Sequence, residues 1–230
     1  MVLYNENRKI FVINDNYKTN GINYGQCGEI YHYDSDKCVK IYYTDCSYNC
    51  RISKNIYEQL KDIDSDYLIK FYELFYSDPF LEHISGYLTK YYQSENFDFF
   101  EKSIDYNLYI MNELLKLFKK LSYNNIITSD VKKSNIIYNN EKIIIIDPDL
   151  FYQYSDLEIC KRENYKNLIY LFKSIYRDEF RNLDINYKGF NPFQYLDDLF
   201  DFEPNEQIVD NLSKKLKKYK YPKDYFLERK

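Results

Sequence analysis

The residues best suited to chemistry lie in a short stretch of the chain that ends at Asp147. Asp130 and Asn135 fall on one predicted loop, with Lys132 between them. Mg²⁺ prefers hard oxygen ligands and usually keeps several positions for phosphate oxygens and water, so Asn135 and Asp147 are suited to bind it. Asp130 is suited to accept a proton from an attacking hydroxyl, and Lys132 to neutralise charge on a transferring phosphoryl group.

A β-hairpin is predicted to position these groups. Residues 136–138 form its outgoing strand, the polar residues 139–141 its turn, and residues 142–146 its returning strand. Asp147 then leaves the hairpin beside the loop that carries Asp130. The hairpin is therefore predicted to present its carboxylates and amide at one mouth, where a metal ion and a phosphate would bind.

This loop resembles the catalytic loop of the eukaryotic-type protein kinases, in which H-R-D-x-K-x-x-N is followed, after a hairpin, by D-F-G. The Asp, Lys and Asn match at the right spacing, although Thr-Ser replaces His-Arg and Pro-Asp replaces Phe-Gly. The resemblance implies that Asp130 is the catalytic base and that Lys132 contacts the γ-phosphate of ATP. It also implies that Asn135 and Asp147 bind Mg²⁺, with Mn²⁺ as a substitute.

A phosphate-binding loop is predicted upstream. Asn23, Gly25 and Gly28 have the spacing of G-x-G-x-x-G, with Asn in the first place. Glycine lets backbone N–H groups approach phosphate oxygens closely, and Asn tolerates a left-handed φ better than most residues. An ordinary hairpin explains the same residues and remains the alternative. Ile30, just after the loop, is included among the predicted nucleotide contacts.

Lys40 lies between two β-branched residues on the second strand of a predicted hairpin over residues 29–43. A solvent-facing lysine is the ordinary interpretation, but the resemblance to the kinase V-A-I-K strand implies contact with the α- and β-phosphates. Glu58 follows Lys40 by eighteen residues, on a predicted helix over residues 50–63. The resemblance implies that Glu58 pairs with Lys40 and orients it, and a solvated helix charge is the alternative.

The strand predicted at residues 86–91 resembles the kinase strand that leads into the hinge. This likeness implies that Thr89 is the gatekeeper and that the backbone of Lys90, Tyr91 and the next residue binds adenine. A further short strand is predicted just before it, at residues 80–83.

Helices dominate the predicted C-terminal part. An amphipathic helix over residues 107–121 carries an apolar stripe that core packing explains. A second helix over residues 157–176 resembles a kinase helix whose Asp supports the catalytic loop, with Asn164 or the adjacent Glu163 in that place. Two shorter helices are predicted after it, at residues 191–202 and 206–218.

The predicted fold is α+β and two-lobed, like that of a minimal protein kinase. Residues 1–91 would form an ATP-binding lobe with a five-stranded antiparallel sheet and one helix, and residues 9–14 would be its first strand. Residues 92–230 would form a mostly helical lobe with the catalytic loop. The resemblance covers roughly residues 20–176, with no A-P-E sequence and little room for an activation segment.

The composition limits the classes of partner that are expected for this protein. The net charge of −4 gives no basic footprint for nucleic acid, and the Lys-rich segment 214–223 is read as a solvated face or a weak phosphate-binding tail. Five cysteines, with no secretory leader before them, predict reduced thiols in a cytoplasmic protein. The cysteines and the two histidines do not fall into the paired spacings of zinc sites. No apolar run reaches the ~18 residues of a membrane span, so a soluble protein is expected.

The sequence therefore predicts an ATP-dependent phosphotransferase whose acceptor is a hydroxyl group of a Ser/Thr protein or of a small molecule. A pseudokinase that acts as a nucleotide-binding or protein-binding scaffold is the alternative, because the family's His, Arg, Phe and Gly are replaced. A nucleic-acid-binding protein is a third reading, but no ordered motif supports it.

Overall fold

The computed structural model describes residues 1–13, 27–182 and 192–228. Within these ranges the chain has a mixed α+β fold with a large antiparallel sheet and six α-helices. It divides into two units: Met1–Gln93 with Asp147–Phe151, and Ser94–Ile146 with Tyr152–Lys230. None of the helices in the described ranges has both the length and the apolar character needed to cross a membrane.

The sheet belongs to the first unit and is larger than predicted. Its six described strands are β1 (Val2–Asn5), β2 (Ile10–Val12), β3 (Gly28–His32), β4 (Lys37–Tyr42), β5 (Phe71–Tyr76) and β6 (Ile84–Lys90), in the spatial order β2-β1-β5-β6-β4-β3. Strand β1 was not predicted, and it pairs with β2 on one side and with β5 on the other. It is only four residues long, but Leu3 is buried and ties it to the core.

The two faces of the sheet carry different residues. One face holds an apolar cluster that includes Leu3, Tyr31, Val39, Ile41, Phe75 and Leu88. Because side chains alternate along a strand, Lys40 and Tyr42 of β4 point to the other face. The register places Ile30 of β3 and Tyr87 of β6 directly opposite Lys40. Lys40 therefore lies at the centre of a row across three strands.

Two glycines let the neighbouring strands approach β4. A Cβ atom at Gly86 would lie 2.1 Å from the carbonyl oxygen of Lys40, and one at Gly28 would lie 2.3 Å from that of Ile41. Both distances are far inside van der Waals contact, so larger residues would push β3 or β6 away. This close approach of the strands is a structural reason for glycine at position 28, and it does not require a bound phosphate.

Helix α1 (Lys54–Lys61) packs on the same face as Lys40. The Ser53 hydroxyl caps it by accepting a hydrogen bond from the Ile56 N–H (3.2 Å). The Tyr57 ring lies 5.5 Å from that of Phe71, which lies 5.3 Å from that of Tyr87. These edge contacts fix the helix against β5 and β6.

The strand predicted at residues 80–83 is wrong, because the chain forms a turn there. The Asp78 carboxylate accepts hydrogen bonds from the N–H groups of Phe80 (2.9 Å) and His83 (3.2 Å). Leu81 adopts a φ of 64°. A side chain that satisfies the local backbone donors competes with a strand ladder, so β6 begins only at Ile84.

The second unit is mostly helical. Its described elements are α2 (Ile104–Tyr123), β7 (Ile126–Ile127), β8 (Ile136–Asn139), β9 (Lys142–Ile145), β10 (Tyr152–Gln153), α3 (Leu157–Asn182), α4 (Pro192–Leu199), α5 (Ile208–Leu216) and α6 (Pro222–Leu227). The long helices α2 and α3 share a buried core, and the Tyr176 hydroxyl donates to Asn107 Oδ1 (3.1 Å) between them. The predicted hairpin is confirmed as β8 and β9, joined by Asn140 and Glu141 with φ of 48° and 60°.

Candidate functional site

Asp130 and Lys132, which were predicted as catalytic, lie on one loop of the second unit with Asn135, which was predicted as a metal ligand. The Asn135 amide donates to the backbone oxygen of Asp130 (2.7 Å) and to its carboxylate (3.0 Å). The Lys132 ammonium donates to both carboxylate oxygens of Asp130, at 2.8 and 2.9 Å. Asp130 has a φ of 54°, a strained backbone conformation for a residue other than glycine. The loop therefore holds a carboxylate, an amide and an ammonium within hydrogen-bonding distance.

Asn164 of α3 supports the base of this loop. It was one of the two alternatives predicted for this role. Its side chain is fully buried. The Asn164 Oδ1 atom accepts from the N–H (2.7 Å) and hydroxyl (3.0 Å) of Thr128. Its amide group donates to the Ser122 hydroxyl and to the Ile126 carbonyl, both at 2.8 Å. Every polar position of this side chain is thus used, whereas the adjacent Glu163 pairs with Lys166 on the surface.

Further along α3, more side chains hold the loop. The Asn167 amide donates to the backbone oxygen of Thr128 (2.5 Å). The Ser174 hydroxyl accepts from the Lys133 N–H (3.0 Å), and the Lys133 ammonium lies 2.7 Å from the carboxylate of buried Glu179. Sequence reasoning missed these three supports, because their spacing along the helix has no signature of its own.

Lys40 of the first unit is held by two carboxylates. Its ammonium lies 2.7 Å from Asp147 Oδ1 and 2.7 Å from Asp149 Oδ2. Lys40 is only 8% exposed. Burial alone would lower its pKa, but Asp149 and Asp147 outweigh that effect and raise the pKa of Lys40 to about 12. The ammonium is therefore charged at neutral pH, and it has three donors with which to face its partners.

Asp149 was not predicted as part of the site, because Pro148-Asp149 does not match the Phe-Gly of the kinase D-F-G motif. The residue is 6% exposed. Its Oδ1 atom accepts from the Tyr42 hydroxyl (2.9 Å), which itself accepts from the Ile52 N–H (3.0 Å). Its Oδ2 atom lies 2.7 Å from the Lys40 ammonium. Burial raises the pKa of Asp149 to about 6, although Lys40 opposes the shift.

Glu58 is not an ion-pair partner of Lys40 in the described part of the chain, contrary to the prediction. Both carboxylates on the ammonium come from residues 147–149. Helix α1 buries Tyr57 and Leu60 toward the sheet. Glu58 is turned by about 100° from Tyr57 around the helix. Burial raises the pKa of the Tyr76 hydroxyl to about 12, and the charges of Glu6 and Glu58 add to the shift.

The predicted adenine-binding residues lie at the end of β6. Thr89 is buried, with its hydroxyl 3.3 Å from the Cys38 thiol. The N–H of Lys90 donates to the Lys70 carbonyl (2.9 Å) and that of Tyr91 to the Asp36 carbonyl (2.7 Å). Both backbone donors are therefore already engaged. The nucleotide-loop residues Asn23 and Gly25 lie outside the described residues, and Ile30 is half-buried opposite Lys40.

The predicted Mg²⁺ ligands retain oxygen atoms suited to a hard cation. Asp147 contacts Lys40 through Oδ1, and its side chain is 33% exposed. The amide oxygen of Asn135 accepts a hydrogen bond from Ser134 (3.2 Å), which leaves one lone pair. No cluster of three or more His, Cys, Asp or Glu side chains able to enclose a metal occurs in the described ranges. Asp147 belongs to the first unit and Asn135 to the second, and each keeps an oxygen atom of the kind that a hard cation prefers.

Comparison with known proteins adds no relative. The chain matches no family model and no curated protein. The chemistry of the two units is therefore inferred from their own side chains: an ammonium with two carboxylates in the first, and a carboxylate, an amide and an ammonium on a supported loop in the second.

Proposed function

We propose that the protein is a phosphotransferase of the protein-kinase type, which moves the γ-phosphate of Mg-ATP to a hydroxyl group of a protein Ser or Thr or of a small molecule. The observation that carries the proposal is the 2.7 Å ion pair between Lys40 and Asp147. The kinase resemblance assigns phosphate binding to Lys40 and metal binding to Asp147. These residues are 107 positions apart in the chain, yet they share one contact within the first unit.

The proposed fold is kinase-like and two-lobed. A sheet with one helix makes up the first unit, and long helices make up most of the second, which supports this proposal. The shortened stretch after Asp147 and the absence of an A-P-E sequence leave a minimal version of such a fold.

The loop of the second unit would carry the proton transfer. Bound Mg-ATP would supply an activated phosphoryl group, and positioning and charge stabilisation provide most of the catalysis in such reactions. Asp130 would accept the proton of the acceptor hydroxyl. In the structure Lys132 neutralises Asp130, so Lys132 would turn to the phosphoryl oxygens as the acceptor hydroxyl reaches Asp130. Asn135 would keep the Asp130 backbone in its strained conformation throughout.

The proposal is tested with purified protein, Mg²⁺ and ATP labelled at the γ-phosphate, offered generic proteins, small alcohols and sugars. Transfer is expected with the wild-type chain and with Asp201→Asn, a surface change of the same type. Asp130→Asn is expected to lose transfer and to keep its ATP affinity within about twofold, since a base that is not a metal ligand acts on the acceptor. ATP binding without transfer would contradict the enzyme and leave the scaffold alternative. Absence of ATP binding would contradict both.

A further inference from the structure

We propose that Asp149 is the positioning residue for Lys40 and takes the place that the kinase resemblance assigns to Glu58. The reason why Lys40 must be held in place rests on the proposed function, but the observed position of its ammonium does not. Asp149 belongs to the first unit and matches no motif. Two carboxylates lie beside Lys40, and Asp149 is the one that its surroundings hold in place.

The two acids beside Lys40 differ in burial. Asp149 is 6% exposed, whereas the side chain of Asp147 is 33% exposed. A carboxylate that solvent reaches can exchange the ammonium for a cation or water at little cost. A buried carboxylate cannot, because leaving its partner would strand it in a low-dielectric environment. Asp149 is therefore the permanent partner, and Asp147 is the one free to bind a metal ion.

Asp149 is also fixed from its other side. The Tyr42 hydroxyl donates to Asp149 Oδ1 (2.9 Å) and accepts from the Ile52 N–H (3.0 Å), which leads to the segment just before α1. Tyr42 and Lys40 are two residues apart on β4, so they reach Asp149 from the same face of the sheet. The Phe151 N–H donates to the Pro148 carbonyl (3.0 Å) and closes the turn that carries Asp149. The acid is thereby held at both carboxylate oxygens, and a backbone hydrogen bond closes the turn on which it lies.

The arrangement gives a reason for the Pro-Asp sequence after Asp147. A glycine at position 149 would leave Tyr42 without its acceptor and Lys40 with a single carboxylate. That carboxylate, Asp147, would then be needed by Lys40 and by the cation together. With Asp149 present, Lys40 keeps a partner when Asp147 turns away, and Glu58 is not required.

The first test measures the freedom of Lys40 without any nucleotide. The full-length protein is treated with a succinimidyl ester, and acylation of Lys40 is followed by peptide mass spectrometry. Asp149→Asn keeps an acceptor for Tyr42 but removes the charge, and we expect the acylation rate of Lys40 to rise about fivefold or more. Glu58→Gln and the surface control Asp45→Asn are expected to change it by less than about twofold. A rise in Glu58→Gln with none in Asp149→Asn would overturn the proposal.

A second variant covers the case in which Asp149→Asn does not fold. Tyr42→Phe keeps the ring and removes the hydroxyl that fixes Asp149, so Lys40 acylation should again rise, by a smaller factor. An unchanged rate in folded Tyr42→Phe, at a matched thermal transition, would also overturn the proposal. General unfolding is recognised because all lysines would then react faster, whereas loss of positioning affects Lys40 alone.

Nucleotide binding then separates this proposal from the proposed function. The dissociation constant for ATP, measured by calorimetry, should increase about tenfold or more in Asp149→Asn and stay within about twofold in Glu58→Gln. If the wild-type chain binds no ATP, the proposed function fails while the acylation result still stands. If ATP binds and only Glu58→Gln weakens it, the positioning proposal fails while the phosphotransferase survives.

Discussion

The Lys40 cluster of the first unit and the loop support of the second are both buried polar networks, but they are built differently. Carboxylates surround the Lys40 ammonium, whereas the part of the loop support that centres on Asn164 consists of neutral amides, hydroxyls and backbone groups. A fully satisfied neutral network costs little in a protein interior. Buried charges carry a large desolvation penalty, and apolar residues often replace them without loss of stability. We infer that the Asn164 network serves architecture, and we propose that the Lys40 cluster serves a function that needs charge.

The largest effect should come from breaking the charged network. Lys40→Met leaves Asp149 buried without a cation, and we expect the free energy of unfolding at neutral pH to fall by about 3–5 kcal/mol. This expectation differs from that for an exposed catalytic lysine, whose loss would leave stability nearly unchanged. Urea denaturation followed by circular dichroism measures the effect.

The double variant Lys40→Met/Asp149→Asn is the control for that experiment. It removes the stranded charge, so most of the lost stability should return, and the two changes should be strongly non-additive. Additive losses would mean that Lys40 contributes mainly by packing its methylene chain. The contrast between charged and neutral networks would then lose its basis.

A somewhat smaller loss is expected from breaking the neutral network. Asn164→Ala leaves the Thr128 N–H and the Ile126 carbonyl buried without partners, and about 2–3 kcal/mol of unfolding free energy should be lost. Asn164→Asp keeps the acceptor for Thr128 but cannot donate to Ile126, so it should also destabilise at neutral pH. Asn167→Ala, at the partly exposed neighbouring position, is the milder comparison. Equal losses in Asn164→Ala and Asn167→Ala would show that burial does not decide the cost.

Much of the fold follows from periodicity in the sequence. The β3–β4 and β8–β9 hairpins, helix α2 and the start of α3 were predictable because alternating or helical apolar patterns and turn residues mark them. Strand β1 was not predicted, and its sequence, VLYN, does not alternate between apolar and polar residues. The strand predicted at residues 80–83 was wrong because the Asp78 carboxylate accepts hydrogen bonds from the backbone N–H groups there.

The candidate site was predictable only in part. Asp130, Lys132 and Asn135 are close in sequence, so their proximity on one loop could be anticipated. The partner of Lys40 could not be predicted from the sequence, because the sequence separation between Lys40 and Glu58 does not say which way a side chain on a helix points. Glu58 had the right spacing, yet both carboxylates on the Lys40 ammonium come from Asp147 and Asp149. Asp149 had no motif, because burial and contact with Tyr42, not sequence position, define its role.

The next prediction concerns Lys133, where the second unit has its own buried acid. Glu179 is 3% exposed at its side chain and lies 2.7 Å from the Lys133 ammonium. Lys133 is partly exposed, so solvent screening reduces the loss for Lys133→Met to about 1–2 kcal/mol at neutral pH. The effect should be measured by urea denaturation across a pH series.

The pH dependence of Lys133→Met has a defined sign. Burial raises the pKa of Glu179 above its ordinary value, while Lys133 opposes this shift. Without Lys133 the folded state binds the Glu179 proton more tightly than the unfolded state, so stability falls as pH rises through the raised pKa. The variant should therefore approach wild-type stability as the pH falls toward 4.5, the ordinary value for Glu. A difference that stays constant with pH would rule out Glu179 as the source.

The smallest effect on stability is expected at the adjacent Lys132. Its ammonium bonds to both oxygens of Asp130, but the two side chains are 41% and 38% exposed. Exposed ion pairs contribute little, so Lys132→Met should change the unfolding free energy by less than about 1 kcal/mol. Lys133→Met is the matched control, since it removes the same charge from the next residue of the same loop. If Lys132 acts on the phosphoryl group, Lys132→Met should lose phosphate transfer at nearly unchanged stability, a loss that stability cannot explain. Equal and large destabilisation in both variants would show that the whole loop depends on charge, and the division between a structural and a functional network would be wrong.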